Sequence, residues 1–189
     1  NGREAVLGGS PYNVAIGLGR LGAKVSIATS LSHDLDGQRF KAALEADGVD
    51  LSCVGIVNKP SPTALVEEGT KESGPRYVFT LSGTAFDEPA PLPLPWSDDL
   101  AHIHAGSIAA ILGPMAHSVL DAFAAARGKR TTSYDPNIRP MITPDRDKTR
   151  VDVEARVALA DIVKASEEDL EWLYPDRAPH AVRDQDKAI

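Results

Sequence analysis

Two short stretches place chemistry-bearing residues where a ligand could use them. The first is Gly8-Gly9-x-x-x-Asn13. Paired glycines let the main chain pass close to a ligand with no side chain in the way. They lead into a predicted helix start, where free amides favour polar or anionic partners. Asn13 adds a donor and an acceptor, suited to a ligand hydroxyl. The same residues also make an ordinary helix-capping turn. The second stretch, Asp135-Pro136-Asn137-Ile138-Arg139-Pro140, follows a predicted parallel strand. Ligands of open α/β sheets bind beyond the carboxyl ends of such strands. An Asp, an Asn and an Arg on one such loop suit a hydroxylated or phosphorylated ligand. Arg139 is expected to stand near Asp135 as its counter-charge. A surface turn held by Asp and Pro is the plainer alternative.

Other patterns carry less. Gly17-Leu18-Gly19-Arg20-Leu21-Gly22 spells the dinucleotide fingerprint G-x-G-x-x-G, with Asp36 at a suitable distance. That fingerprint needs a strand before the glycines and a helix opening within them. Here the helical pattern begins before the glycines and a strand pattern follows them. Gly128-Lys129 is no Walker loop, because Phe123 and Arg130 stand where a glycine and a Ser or Thr are required. His102 and His104 alternate along one predicted strand without a third ligand, and read as structural. The one cysteine, Cys53, reads as a small buried hydrophobe.

The elements that would position these residues alternate. Val14, Leu18 and Leu21 recur at helical spacing after the Gly8-Gly9-Ser10-Pro11 turn. A strand is expected over 24–30 and a helix over 36–47, closed by Gly48. Three short strands are expected over 51–57, 64–68 and 76–81, as a small sheet of their own, with turns at 58–60 and 69–75. Tyr77, Phe79 and Leu81 alternate, as on a sheet with one covered face. Glu88 to Pro95 is proline-rich and reads as a stiff connector, or else as a polyproline-type ligand. Strands follow at 102–105, 130–134 and 162–164. Helices are expected over 114–127 and 149–160, with another opening at Ser166. Strands alternating with helices predict a parallel α/β sheet.

Composition excludes some functions. The chain has 189 residues, 27 acidic and 20 basic, with a formal charge of -7. An acidic chain without a basic run is a poor binder of nucleic acid or anionic membranes. No run approaches the ~18 apolar residues of a membrane span. With one cysteine no intrachain disulfide can form, which fits a cytoplasmic location. The first residue is Asn1 rather than Met, so the sequence reads as a fragment.

Taken together, these motifs resemble the ribokinase-like (PfkB) carbohydrate kinases, most closely the fructokinase branch. The carrying segments are GGSPYNVAIGLGRLGAKVSIATSLSHDLDG at 8–37, ADGVDLSCV at 46–54 and RYVFTLSGTAF at 76–86. HIHAGSIA at 102–109, SYDPNIRP at 133–140 and ADIVKASEEDLEWLYP at 160–175 complete the set. The resemblance implies a doubly wound α/β core over 1–50 and 87–189, with a small β-sheet lid over 51–86 through which two copies pair. It implies sugar contacts from Gly8, Gly9 and Asn13, and from Asp135, Asn137 and Arg139. An Asn-x-x-Glu motif near magnesium and phosphate appears here, softened, as Ser166-x-x-Asp169. Phe86 replaces the Asp of a Gly-Thr-Ala-Asp lid motif.

The expected reaction is ATP-dependent, magnesium-assisted phosphorylation of a sugar hydroxyl. The family's opening strand, with a sugar-gripping Asp, is expected before Asn1. Its Gly-Ala-Gly-Asp segment, with the catalytic Asp, is expected beyond Ile189, so no catalytic base is expected within the chain. A catalytically inactive sugar- or nucleoside-binding module is the alternative, and an NAD-binding protein a further one.

Overall fold

The first helix begins where the sequence removes obstacles to it. In the computed structural model, which describes residues 5–67, 76–92 and 96–177, α1 spans Ser10–Arg20 with Pro11 in its first turn. Proline's fixed φ suits that position and its missing N–H costs nothing there. α1 buries Ala15 and Ile16. Gly17 and Gly19 lie inside it, and strand β1, Thr29–Ser32, comes only afterwards. A dinucleotide fold needs the reverse order, strand before glycines before helix, so the fingerprint match is coincidental.

The chain forms two compact units. The first holds residues up to Trp96 together with Gly113–Met115. In it β1 leads into α2, Leu35–Ala46, and then β2, Val54–Val57. β1 and β2 are parallel, with Thr29 opposite Val54 and Ser32 opposite Val57. This differs from the expected three-stranded small sheet. The 51–57 stretch was readable as a strand, but the crossover through α2 sets it beside β1. The expected strand over 24–30 is likewise reduced to an isolated bridge at Ser26 ahead of the ladder. β3, Thr63–Glu67, and β4, Arg76–Thr80, do pair, antiparallel, with Val66 opposite Tyr77 and Ala64 opposite Phe79. The turn expected at 69–75 lies outside the described residues, as does part of the proline-rich connector.

Ala15, Ile16, Leu31, Leu44 and Val49 form the core of this unit. Tyr12 and Phe40 close its edge, ring centroids 4.9 Å apart and nearly perpendicular, a favoured aromatic geometry. Cys53 is buried, as its reading as a hydrophobe expects.

The second unit holds Ser97–Leu112 and the chain from Ala116 on. β5 (His102–Gly106), β6 (Thr131–Asp135) and β7 (Ile162–Val163) form a parallel sheet in that order. α3 (Met115–Ala126), α4 (Arg146–Val157) and α5 (Glu167–Leu173) alternate with the strands. Side chains on a strand alternate between faces. Tyr134 therefore joins Phe123 of α3, Val153 of α4 and Leu173 of α5 in the core, while Ser133 faces the other way and bonds His102 and His104. Helix α4 begins three residues earlier than the apolar pattern predicts, because Asp145 caps it by accepting the Lys148 amide at 3.0 Å. Arg156, 2% exposed, donates to the carbonyls of Ala110, Ala116 and Asp152. Among the described residues no helix is long and apolar enough to cross a membrane.

One carboxylate organises the end of the β1–β2 pair. Asp34 caps α2 by accepting the Gly37 amide at 2.8 Å. It also accepts the Ser61 amide and hydroxyl, both at 2.7 Å. These donors, the Gly37 amide first, hold its carboxyl down at about 2, from an ordinary 3.8. Asp34→Ala should destabilise the protein by about 2 kcal/mol in urea unfolding, through the lost cap and the freed Ser61 groups. A carboxyl depressed on folding contributes above its unfolded value and loses that contribution as pH falls through its folded value. The wild-type protein should thus lose this increment between about pH 4 and pH 2, and the variant should lack that part of the acid dependence.

Candidate functional site

In the first unit the glycine turn has the geometry its sequence suggests. Gly9 is the N-cap of α1, with φ 120 and ψ 133, a backbone state L-residues rarely adopt. Its carbonyl accepts the Asn13 amide at 2.9 Å. A Cβ built on Gly8 or Gly9 meets no atom within 4 Å, so the space above the turn is open. Asn13 is exposed. Gly8, Gly9 and Asn13 therefore form one open, polar helix entry. Gly9 is needed for its backbone state with or without a ligand. Gly8 carries no such constraint and is the cleaner probe of the open space.

In the second unit Asp135 ends β6, opposite Gly106 of β5. A Cβ at Gly106 would stand 2.7 Å from the Asp135 carbonyl oxygen, so only glycine permits this approach. Asp135 Oδ2 is held by Lys164 Nζ at 3.1 Å. Its Oδ1 is buried and has no hydrogen-bond partner. The expected counter-charge was Arg139. That side chain instead donates to the Ile138 carbonyl at 2.7 Å and the Asn137 carbonyl at 3.3 Å. Asn137 has φ 41, which turns the chain between Asp135 and Arg139 and brings carbonyls within the guanidinium's reach. Lys164, at the end of β7, was missed. Its signal was its place one residue past a short parallel strand.

Ser166 and Asp169 lie in the same unit and reach this loop, but not as free ligands. They form a reciprocal capping box at the start of α5. The Asp169 amide donates to Ser166 Oγ, and the Ser166 amide to Asp169 Oδ2, both at 3.1 Å. Asp169 Oδ1 accepts the buried Ile138 amide at 2.7 Å. Asp169 is 5% exposed. The first turn of α5 also carries Glu167 and Glu168, charges that oppose a phosphate there. Both residues are engaged in this box, and Asp169 also holds the 135–139 loop through Ile138. Among the described residues no group of three or more His, Cys, Asp or Glu could hold a metal ion.

His102 and His104 are tied to the sheet. His102 meets Thr131 and Ser133 hydroxyls at 2.7 and 2.8 Å, and His104 meets Ser133 at 2.8 Å. Burial pushes the His104 imidazolium below its usual range, with Asp135 opposing that shift.

The family model for pfkB family carbohydrate kinases matches residues 2–188. The chain belongs to that family. A fructokinase from Rhizobium leguminosarum bv. trifolii is 36% identical over 169 residues, 87% of this chain and 50% of that protein. The crystal structure of a Vibrio cholerae fructokinase in its fructose-, ADP- and calcium-bound form matches with a TM-score of 0.77 and 26% identity, covering 94% of this chain and 59% of that one. A Xylella fastidiosa fructokinase with bound ATP matches with a TM-score of 0.77 and 22% identity, over 95% of this chain and 58% of that one. This member of the pfkB family thus spans about half the length of the curated relative it matches. The α/β fold resembles those fructokinase structures over about 60% of their length.

Asp169→Ala tests the anchor of the loop. It leaves the Ile138 and Ser166 amides without their acceptor, one of them fully buried. The cost should be about 2 to 4 kcal/mol in urea unfolding, with faster hydrogen exchange at Ile138. Asp169→Asn should recover part of it, since its one carbonyl oxygen can accept one amide.

Proposed function

We propose that this chain is the sugar-binding part of an ATP-dependent, fructokinase-like sugar kinase. The observation that carries the reading is the loop past β6. There Asp135, with one oxygen unspent, and Asn137, in a left-handed turn, follow a parallel strand end that Gly106 leaves room for. This is where open α/β sheets receive ligands. The family membership supports the same chemistry.

In this proposal Gly8 and Gly9 let the backbone approach the sugar, and Asn13 hydrogen-bonds a hydroxyl. Asp135 Oδ1 accepts a ligand hydroxyl, and Asn137 and Arg139 complete the polar end of the loop. ATP, with magnesium, supplies the phosphoryl group when bound. Ser166 and Asp169 serve that chemistry indirectly, by holding Ile138 and so the loop. The proton-removing Asp is not among these residues, since the sequence contains no Gly-Ala-Gly-Asp. A positioned base contributes roughly 10² to 10⁴-fold, so the 189-residue chain should bind fructose without turning it over.

The proposed fold is a doubly wound sheet with a lid, the lid being β3 and β4 within 51–86 and β2 belonging with β1 by its register. One lid face carries Ala64, Val66, Tyr77 and Phe79. Val66 is 54% and Tyr77 36% exposed, and the Tyr77 and Phe79 rings stack at 6.1 Å. A second copy is proposed to cover this face. A two-stranded hairpin is marginal alone, so lid amides should exchange fast in the monomer and slowly in a dimer.

Calorimetric titration with fructose is the direct test, run beside a coupled ADP-release assay. Fructose heat without ADP release is the expected result. Gly8→Val should weaken fructose binding at least tenfold while leaving thermal unfolding unchanged, because the space it fills is open. Gly9→Val should in addition lower stability, by about 1 to 3 kcal/mol for its forced backbone state. Robust ADP release lost on Asp135→Asn would place the base in this chain instead.

A further inference from the structure

The carboxyl end of β5 holds a backbone strain that the fold alone does not need. Ser107 has φ 60 and ψ −163, a region that is essentially glycine's own. Among the described residues one other non-glycine has positive φ, Asn137, and Asn is a residue type that tolerates it. Ser107 is kept there by its surroundings. Its amide donates to the Asp135 carbonyl at 2.9 Å, and its carbonyl accepts the Ala110 amide at 3.1 Å. Glycine at this position would make both bonds without strain, so a serine here points to a use for its side chain.

That side chain is unspent. Ser107 stands at the N-cap of the short 3₁₀ turn Ile108–Ala110, where serine ordinarily accepts an amide, yet its hydroxyl makes no capping bond. The residue whose carbonyl holds it, Asp135, has a buried Oδ1 with no hydrogen-bond partner. Two adjacent parallel strand ends thus present a hydroxyl, able to donate and accept, and a carboxylate oxygen, able only to accept. A ligand carrying neighbouring hydroxyls meets both requirements, whereas an apolar one would leave Asp135 Oδ1 buried and unpaired.

We propose that Ser107 is a further sugar-contacting residue that sets specificity, its hydroxyl binding one ligand hydroxyl while Asp135 Oδ1 accepts from a neighbouring one. This rests on the sugar-kinase reading and adds a residue to it.

The test uses Ser107→Ala and Ser107→Gly in the 189-residue chain, titrated with fructose and with mono-deoxy fructoses, with thermal unfolding measured in parallel. Alanine keeps the strain and removes the hydroxyl. It should weaken fructose binding about five- to tenfold, one hydrogen bond's worth, at an unchanged unfolding midpoint. It should also lose the wild type's discrimination against one particular deoxy sugar, an effect that a merely structural serine would not have. Glycine relieves the strain, so it should weaken binding equally while holding or raising the midpoint. Wild-type affinity in both variants would overturn the role of Ser107 and leave the sugar-kinase reading standing. A wild-type chain that binds no sugar would remove that reading, and this one with it.

Discussion

Backbone amides that leave a parallel sheet lose their ladder partners and need others. In the second unit one carboxylate meets that need for two of them. Asp169 accepts the Ile138 amide with one oxygen and the Ser166 amide with the other. The first bond holds the turn after β6 and the second holds the start of α5. A buried donor without a partner would cost the full desolvation of that group. The first of these bonds is the one that ties the middle of the 135–139 turn to α5.

The first unit solves the same problem in the same way. Asp34 takes the Gly37 amide at the start of α2 and the Ser61 amide after β2. In both units a carboxylate at a helix start joins that helix to a neighbouring loop at the carboxyl ends of parallel strands. These acids resemble catalytic groups by type and location, and each oxygen of both accepts a backbone amide. Asp135 differs: one oxygen is gripped by Lys164 and the other has no partner. Among these three aspartates only Asp135 keeps a buried oxygen without a hydrogen-bond partner.

Much of this was legible in the sequence because local chemistry dictates it. Ser10-Pro11 after two glycines starts α1, and Gly48 and Gly128 follow α2 and α3, both with positive φ. The alternation of Thr132 and Tyr134 with Ser133 separates the faces of β6. Pairing partners were less legible, because a strand pattern says which face is apolar and not which edge is joined. That is why β2 left the expected lid sheet for β1. Ser166 and Asp169 carry two meanings at once. A spacing of three residues between a hydroxyl and an acid is also the spacing of a capping box. The spacing alone does not say which bonds are made. Arg139 is close to Asp135 in sequence, but past the left-handed Asn137 its guanidinium meets backbone carbonyls instead.

The burial of Cys53 gives the two units separate signatures. It lies just before β2, in the first unit, and it is the chain's one thiol. A thiol reagent can reach it only when that unit opens, so labelling kinetics read the opening free energy of the first unit alone. Trp172 packs against the core of the second unit, and once Trp96 of the first unit is replaced by Phe the remaining emission follows the other. A ligand that stabilises one unit would slow that unit's signal and leave the second untouched, so each unit's response can be read by itself.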